Sequence, residues 1–386
     1  MLASTLRSVR TILARGPTAT TGAGDSRDSY TYGRYAEVEA VAAVDAQARR
    51  IVVISTGGTI ASRWQGTGFA ADAPGREVLA TASIPGGITS EVIDLFNVNS
   101  PRLTSAQQLT LLHTVHEVLA DPGVDGIVVT HGTDTLEESA FLLDLHHHDP
   151  RPVVFTGAQK PLGAENGDGP GNLYDALLTA ATVRGLGVLV VFDGKVHAAR
   201  GTVKTQTVAA DAFADPSGPR VANVGFGKVS VLHRPVRPEP MPLPAVVNSG
   251  SLPRIDMVMH HVDADPLFLE AAVEAGAQGI VLVATGAGNA TPEFVAAVAA
   301  AIDRGVLVAL TTRVAAGPVT EIYTHGGAVD LSAAGAILTG TLRAGQARSA
   351  LLAVLLGESG QEARAKELRR VLGTAAGGVT AEGRAA

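Results

Sequence analysis

The sequence predicts an α/β protein of two domains with mainly parallel sheets, a larger N-terminal domain and a smaller C-terminal one. Three observations lead there. Short continuous apolar runs, such as Ile51-Val52-Val53-Ile54 and Ile127-Val128-Val129, read as strands buried on both faces, the pattern of a parallel sheet. Stretches of helical periodicity alternate with them. The 386 residues, 46% of them hydrophobic, suffice for more than one core.

The chain opens with Arg7, Arg10 and Arg15 and no acid before Asp25. Residues 1–50 read as a disordered N-terminal extension. A transit-like presequence and an over-extended translational start, with the protein beginning near Val44, are the alternatives. No apolar core of about 7–15 residues follows the first arginines, so a secretory signal fits poorly. Regular structure begins at Ile51. A helix from Thr104 or Ser105 carries Leu109, Leu112, Val115 and Leu119 on one stripe. Gly126–Thr130 is a strand, and Thr135-Leu136-Glu137-Glu138 reads as a capping box opening a helix through Leu145. Pro152–Thr156 is a strand, Asn172–Val183 a helix and Gly187–Phe192 a strand.

Residues 51–234 thus read as the N-terminal domain. Pro235, Pro238, Pro240, Pro242 and Pro244 mark 235–253 as a stiff, extended linker. In the C-terminal domain, 254–357, Ile255–Met259 is a strand and Asp265-Pro266 starts a helix to Ala275. Gly279–Ala284 is a strand, Thr291-Pro292-Glu293 opens a helix through Asp303, and Val306–Leu310 is a strand. Residues 358–386 hold a charged helix, Gln361–Leu372, and a Gly/Ala-rich frayed tail.

Composition excludes several chemistries. The chain has no cysteine, which removes disulfide scaffolds, Cys-ligated metals and thiol nucleophiles. A net charge of −7 disfavours a broad grip on nucleic acid. Charged residues at 17% and a mean hydropathy of +0.23 speak against bulk disorder. The apolar stretch from Phe294 ends at Asp303, well short of the roughly 18 residues of a membrane span. No nucleic-acid or membrane partner is expected, and a cytoplasmic location is. His146-His147-His148 reads as complementing a helix C-terminus. Three consecutive histidines cannot all face one ion on a helix. His113 and His116 read as a helix face, and Trp64 as lid packing.

In open parallel sheets ligands bind beyond the carboxyl ends of the strands, so those positions hold the candidate chemistry. The first strand runs into Thr56-Gly57-Gly58-Thr59-Ile60-Ala61, and the second into His131-Gly132-Thr133-Asp134-Thr135 before a helix. Glycines let backbone N–H groups approach a ligand, and a helix start favours developing negative charge. The third strand runs into Gly157-Ala158-Gln159-Lys160-Pro161, and Thr202-Val203-Lys204-Thr205 sets a lysine among small polar residues. Taken singly, each has a structural reading: a tight turn, an N-cap, a surface lysine. Together they suit amide hydrolysis without metal. A threonine hydroxyl needs a base to become a nucleophile, a lysine can serve as one, backbone amides can hold an oxyanion, and an aspartate can bind a substrate ammonium.

These motifs, with Asp168-Gly169-Pro170-Gly171-Asn172-Leu173 in the expected order, resemble those of the bacterial-type L-asparaginase family. The resemblance runs from about Ile51 to Leu356. It implies hydrolysis of L-asparagine to L-aspartate and ammonia through an acyl-threonine ester, with some glutaminase activity and no cofactor. By that resemblance Thr59 is the nucleophile, Thr133 pairs with Lys204, and Asp134 supports the pair and holds the substrate's α-ammonium. Ser100 matches the serine that contacts the α-carboxylate. Gly58, Gly132 and the peptide around Ala158 line the rest of the site. It also implies a homotetramer or homodimer with sites completed by a partner's C-terminal domain, where Asn289 and Thr320 to Tyr323 fall in the regions that would reach across. A non-catalytic amino-acid sensor on the same fold is the alternative from another class; it need not keep both Thr59 and Lys204. A glutamine-preferring amidase, such as the amidase subunit of an archaeal-type tRNA amidotransferase, is the other.

The sequence departs from the family pattern twice. Pro101 and Arg102 follow Ser100 where a Gln or Glu usually helps bind the amino group. The lid after Thr59, Ser62-Arg63-Trp64-Gln65-Gly66-Thr67-Gly68-Phe69, has no tyrosine, and the chain has none between Tyr35 and Tyr174. Phe69 is the steric substitute. Three routes follow: Thr133 and Lys204 activate Thr59 without a lid tyrosine, through a water or a rearrangement, which is the preferred one; Tyr323 arrives from a partner subunit; or the site binds without efficient turnover.

Overall fold

The computed structural model describes residues 48–245 and 249–373. Most of the expected N-terminal extension and the end of the expected frayed tail lie outside the described residues. The first domain opens with β1 (Arg49–Gly57), a hairpin of β2 (Ser62–Trp64) and β3 (Phe69–Ala71), α1 (Gly75–Ala80) and β4 (Ile88–Val98). Then come α2 (Ser105–Leu119), β5 (Gly126–Thr130), α3 (Leu136–His146), β6 (Val153–Thr156), α4 (Gly169–Thr182) and β7 (Val188–Phe192). Short strands follow: β8 (Lys195–Ala198), β9 (Val203–Lys204), β10 (Phe213–Ala214), β11 (Ala222–Gly225) and β12 (Lys228–Val231). The second domain holds β13 (Ile255–Met259), α5 (Leu267–Glu274), β14 (Gly279–Ala284), α6 (Pro292–Asp303), β15 (Leu307–Thr312), α7 (Ala328–Ala333) and β16 (Ile337–Leu338). It closes with α8 (Ala344–Gly357) and α9 (Gln361–Leu372).

The large sheet has the order β12-β11-β8-β7-β6-β5-β1-β4. Its β7-β6-β5-β1-β4 portion is parallel, and β8, β11 and β12 extend it antiparallel. The continuous apolar runs explain the parallel part. In β1, Val52 and Ile54 enter the core on one face, while Ile51 and Val53 enter a second core on the other, as the two-residue period of a strand requires. The chain leaves β1 for β4 on one side and returns to β5 on the other. Strand order therefore reverses between β1 and β5, the point where open sheets leave a crevice for ligands. The second sheet, β13-β14-β15-β16, is parallel throughout.

Helix α8 joins the two. Its Leu351, Leu352 and Val354 are fully buried, in a cluster that contains Ile54 and Phe141 of the first domain and Val281 and Leu307 of the second. A helix buried on all sides is apolar on all sides. The proline-rich segment is held against the first domain, where Arg237 pairs with buried Asp144 at 2.8 Å and buried Met241 donates its N–H to Leu145 O.

Several local expectations change. Thr135 makes no side-chain cap to α3; its hydroxyl instead donates to Ser100 O at 3.1 Å, so the capping-box reading fails. The capping box belongs to α2, between Thr104 and Gln107. Helix α4 starts at Gly169, three residues before the expected Asn172, because Pro170 suits a first turn. His146 and His147 do not serve a helix terminus as cations. Both are buried and bonded to carbonyls, His146 to Pro242 O and His147 to Arg151 O, and burial pushes each down to about 4. Trp64 meets Phe69 edge-on at 5.2 Å, yet the two remain 59% and 53% exposed. Among the described residues, no helix is long and apolar enough to cross a membrane.

The buried histidines set a pH response. His131 and His197 are likewise pushed down to about 4 by burial. An unfolded histidine titrates near 6.5. Between those values the unfolded chain binds more protons, so this stability is complete above about pH 6.5 and drains as pH falls toward 4. Burial raises Glu137 and Asp175 to about 7 and 6, which act in the opposite sense. The effect is therefore read as a difference: His147→Gln, which keeps a donor for Arg151 O, gains thermal midpoint on the wild type as pH drops from 6.5 to 4.5. Parallel midpoint curves would contradict the assignment.

Candidate active site

The crevice is built first from backbone. Gly58 has a φ of 82° and Gly132 lies directly against it; a Cβ on Gly58 would strike the Gly132 backbone. A Cβ on Gly132 would lie 2.6 Å from Ser100 Oγ. Both positions therefore need glycine, and the close approach welds the ends of β1 and β5 to the turn at Ser100. Thr56 Oγ1 donates to Thr130 O at 2.9 Å and fixes the same junction one layer down. Thr59 follows as the first residue of a 3-10 turn, Thr59–Ala61; it is half-buried. Ser62 Oγ donates back to Gly58 O at 2.9 Å and anchors the start of the β2–β3 hairpin.

The polar cluster sits beside it. Lys204 Nζ donates to Thr133 Oγ1 at 2.8 Å and to Asp134 Oδ1 at 2.7 Å. Thr133 is buried, while the Asp134 side chain is 56% exposed, so that carboxylate faces the open side of the crevice. The Asp134 backbone N–H donates to Ser100 Oγ at 3.2 Å. With its oxygen occupied as an acceptor, the Ser100 hydroxyl can donate to an incoming carboxylate. Pro101 occupies the first turn of the 3-10 segment Ser100–Arg102, and Pro101 and Arg102 are both exposed.

Ala158 closes the neighbouring strand end. It is buried and shares a cluster with Ile60. Its loop is held from below by the Asp168–Asn172 motif. Asp168 accepts the N–H groups of Gln159 and Lys160 at 2.8 and 2.9 Å. Asn172 donates to Gly157 O at 3.0 Å. The motif thus acts as a scaffold for the loop.

All eight sequence-predicted residues thus lie at this one sheet end. Thr133, Asp134 and Lys204 are bonded directly, Ser100 joins them through Asp134, and Gly58 and Gly132 touch through backbone. Asn289 and Thr320 to Tyr323 are not part of the bonded cluster; Asn289 closes a turn with Thr285 after β14, and Tyr323 is 57% exposed.

Two contributors were missed. His131 is buried beneath the cluster, donates from Nδ1 to Gly132 O at 2.8 Å and lies tilted against Phe155; burial keeps it neutral near pH 7. Glu137, in the first turn of α3, accepts the Lys204 backbone N–H at 2.6 Å. Burial pushes its carboxyl up to about 7 against the pull of that N–H. In the sequence the carboxylate three residues after Asp134 is the signal for Glu137.

Known proteins share this arrangement of sequence and fold. The sequence matches the family described as Asparaginase, N-terminal over residues 50–237, and that described as Glutaminase/Asparaginase C-terminal domain over residues 254–371. L-asparaginase of Bacillus licheniformis is 36% identical over 317 residues, covering 80% of this chain and 95% of that protein. "Probable L-asparaginase" of Deinococcus radiodurans is 37% identical over 323 residues, covering 82% and 96%. The solved structure of a "Probable Cytoplasmic L-asparaginase" from Campylobacter jejuni superposes with a TM-score of 0.74 at 28% identity, over 83% of this chain and 99% of that one. With two family domains in order and full-length relatives at this identity, the chain belongs to the asparaginase family.

Proposed function

We propose that this protein hydrolyses L-asparagine to L-aspartate and ammonia, with minor activity on L-glutamine. One observation carries the reading: Lys204 Nζ bonds both Thr133 Oγ1 and Asp134 Oδ1 at the strand-order reversal where Thr59 emerges. In the proposed reaction Asp134 holds the substrate's α-ammonium and Ser100 its α-carboxylate. Thr59 Oγ adds to the side-chain amide carbon, and its proton passes through the Thr133–Lys204 pair to the departing nitrogen. The C–N bond breaks, ammonia leaves, and an acyl-threonine ester remains. Water then adds to the ester carbon, gives a proton back to Thr59 Oγ, and aspartate departs.

The hairpin supports activation without a lid tyrosine. Its base is fixed by Leu162 N–H to Ser62 O and by Ala71 N–H to Asn99 Oδ1 at 3.2 Å, and its tip presents Trp64 and Phe69, an exposed apolar pair without a hydroxyl. A sensor would not require Thr59 and the Thr133–Lys204 pair together. Assembly as a dimer or tetramer whose partners supply the Asn289 and Thr320–Tyr323 segments, and a cytoplasmic location, are the finer parts of this proposal.

An ammonia-release assay with L-Asn, L-Gln and D-Asn tests the reading, with L-Asn expected fastest. Thr59→Ala should lower kcat by roughly 10³-fold or more, and Lys204→Met by roughly 10²–10⁴-fold, the range of a lost acid–base group. Activity surviving Thr59→Ala would overturn the nucleophile. Tyr323→Phe should leave kcat within about twofold. A large loss in that variant would instead assign the activating hydroxyl to Tyr323.

A further inference from the structure

We propose that Gln346, from the second domain, is a positioning residue for Lys204. This inference rests on the reading of Lys204 given above. Gln346 lies on the first turn of α8 and is fully buried. Its amide bonds only to backbone of the first domain. Nε2 donates to Ala199 O at 2.8 Å and to Thr202 O at 2.9 Å, and Oε1 accepts the Gly201 N–H at 2.9 Å. Those residues form the turn that leads into Lys204.

The turn needs such a brace. Strand β9 is only Val203–Lys204, paired with a two-residue β10, so its own ladder cannot hold Lys204 to within an ångström. Gly201 has a φ of 85°, which glycine adopts freely, and within the turn Thr202 Oγ1 donates to Ala198 O at 2.6 Å, so the remaining polar groups of the turn are met by Gln346. Glu137 grips the next point along the same segment through the Lys204 N–H. Gly345, beside Gln346, packs on Glu137 so closely that a Cβ there would lie 3.2 Å from Glu137 Oε1. One helical turn of the second domain therefore backs both grips. Burying an amide costs free energy unless every polar group is matched, and here one side chain matches three backbone groups at once.

The test uses the full-length protein with Gln346→Asn, which keeps a buried amide but shortens its reach by one methylene, and Gln346→Met, which removes it. Hydrogen exchange is followed over residues 199–205, beside steady-state kinetics on L-asparagine, at temperatures where circular dichroism shows each variant folded. The proposal expects faster exchange confined to 199–205, kcat lower by roughly 10- to 100-fold, and KM changed by less than about threefold, as for a displaced catalytic group. Unchanged exchange in Gln346→Asn overturns the brace. Faster exchange with wild-type kcat overturns its role in positioning. If Gln346→Met fails to fold, Gln346→Asn decides alone. A wild type that releases no ammonia from asparagine overturns the function assigned to the site, while the exchange measurement still decides the brace.

Discussion

The contact of Gly58 with Gly132 is the constraint from which the site follows. Two parallel strands can bring their outgoing loops together only if nothing protrudes between them, and here a methyl group on Gly58 would strike the Gly132 backbone while one on Gly132 would strike Ser100. Once the backbones touch, the chain leaves the contact through Thr59 on one side and Thr133 on the other, each one residue beyond a glycine. The turn at Ser100 fills the third side, because its hydroxyl rests over Gly132 and accepts the Asp134 N–H. Steric exclusion, more than attraction, sets this geometry, and it does so without placing any charge in the core.

The lysine reaches the same point by a different means. It stands on a strand too short to be rigid, 71 residues from its hydroxyl partner, and is held by carboxylate and amide groups borrowed from α3 and α8. The half-buried carboxyl of Glu137 carries a desolvation cost, which pushes it up to about 7. That cost is set against the orientation of the one flexible side chain in the cluster. Local stability and function are in tension here, as is common where polar groups converge in a crevice.

Much of this was legible in the chain. The doubly buried strands are written as unbroken apolar runs, and the strand-end loops carry their glycines and threonines in view. Elements were missed where their sequence lacks a period or a length. Helix α8 is apolar on every side from Ala350 to Leu356, so it shows no stripe. Strand β4 lies at the sheet edge with Glu91, Asp94 and Asn97 exposed, so it never forms an apolar run. Strands β8 to β12 span two to four residues each, below the reach of pattern. The Thr133–Lys204 contact was legible only through family resemblance, since nothing local links residues so far apart. Gln346 was not legible at all: a lone amide in an alanine- and leucine-rich helix announces its partners only once the second domain is docked.

The continuous core through α8 also restricts how the protein can open. Many two-domain enzymes admit substrate by swinging one lobe from the other. Here a clamshell motion would split the buried cluster that runs through α8 and would strip Gln346 from its three backbone partners in the first domain. The hinge is effectively glued. The ten-residue β2–β3 hairpin beside Thr59, by contrast, contributes nothing to any of the buried clusters, so it is the part of the crevice wall that this core does not restrain.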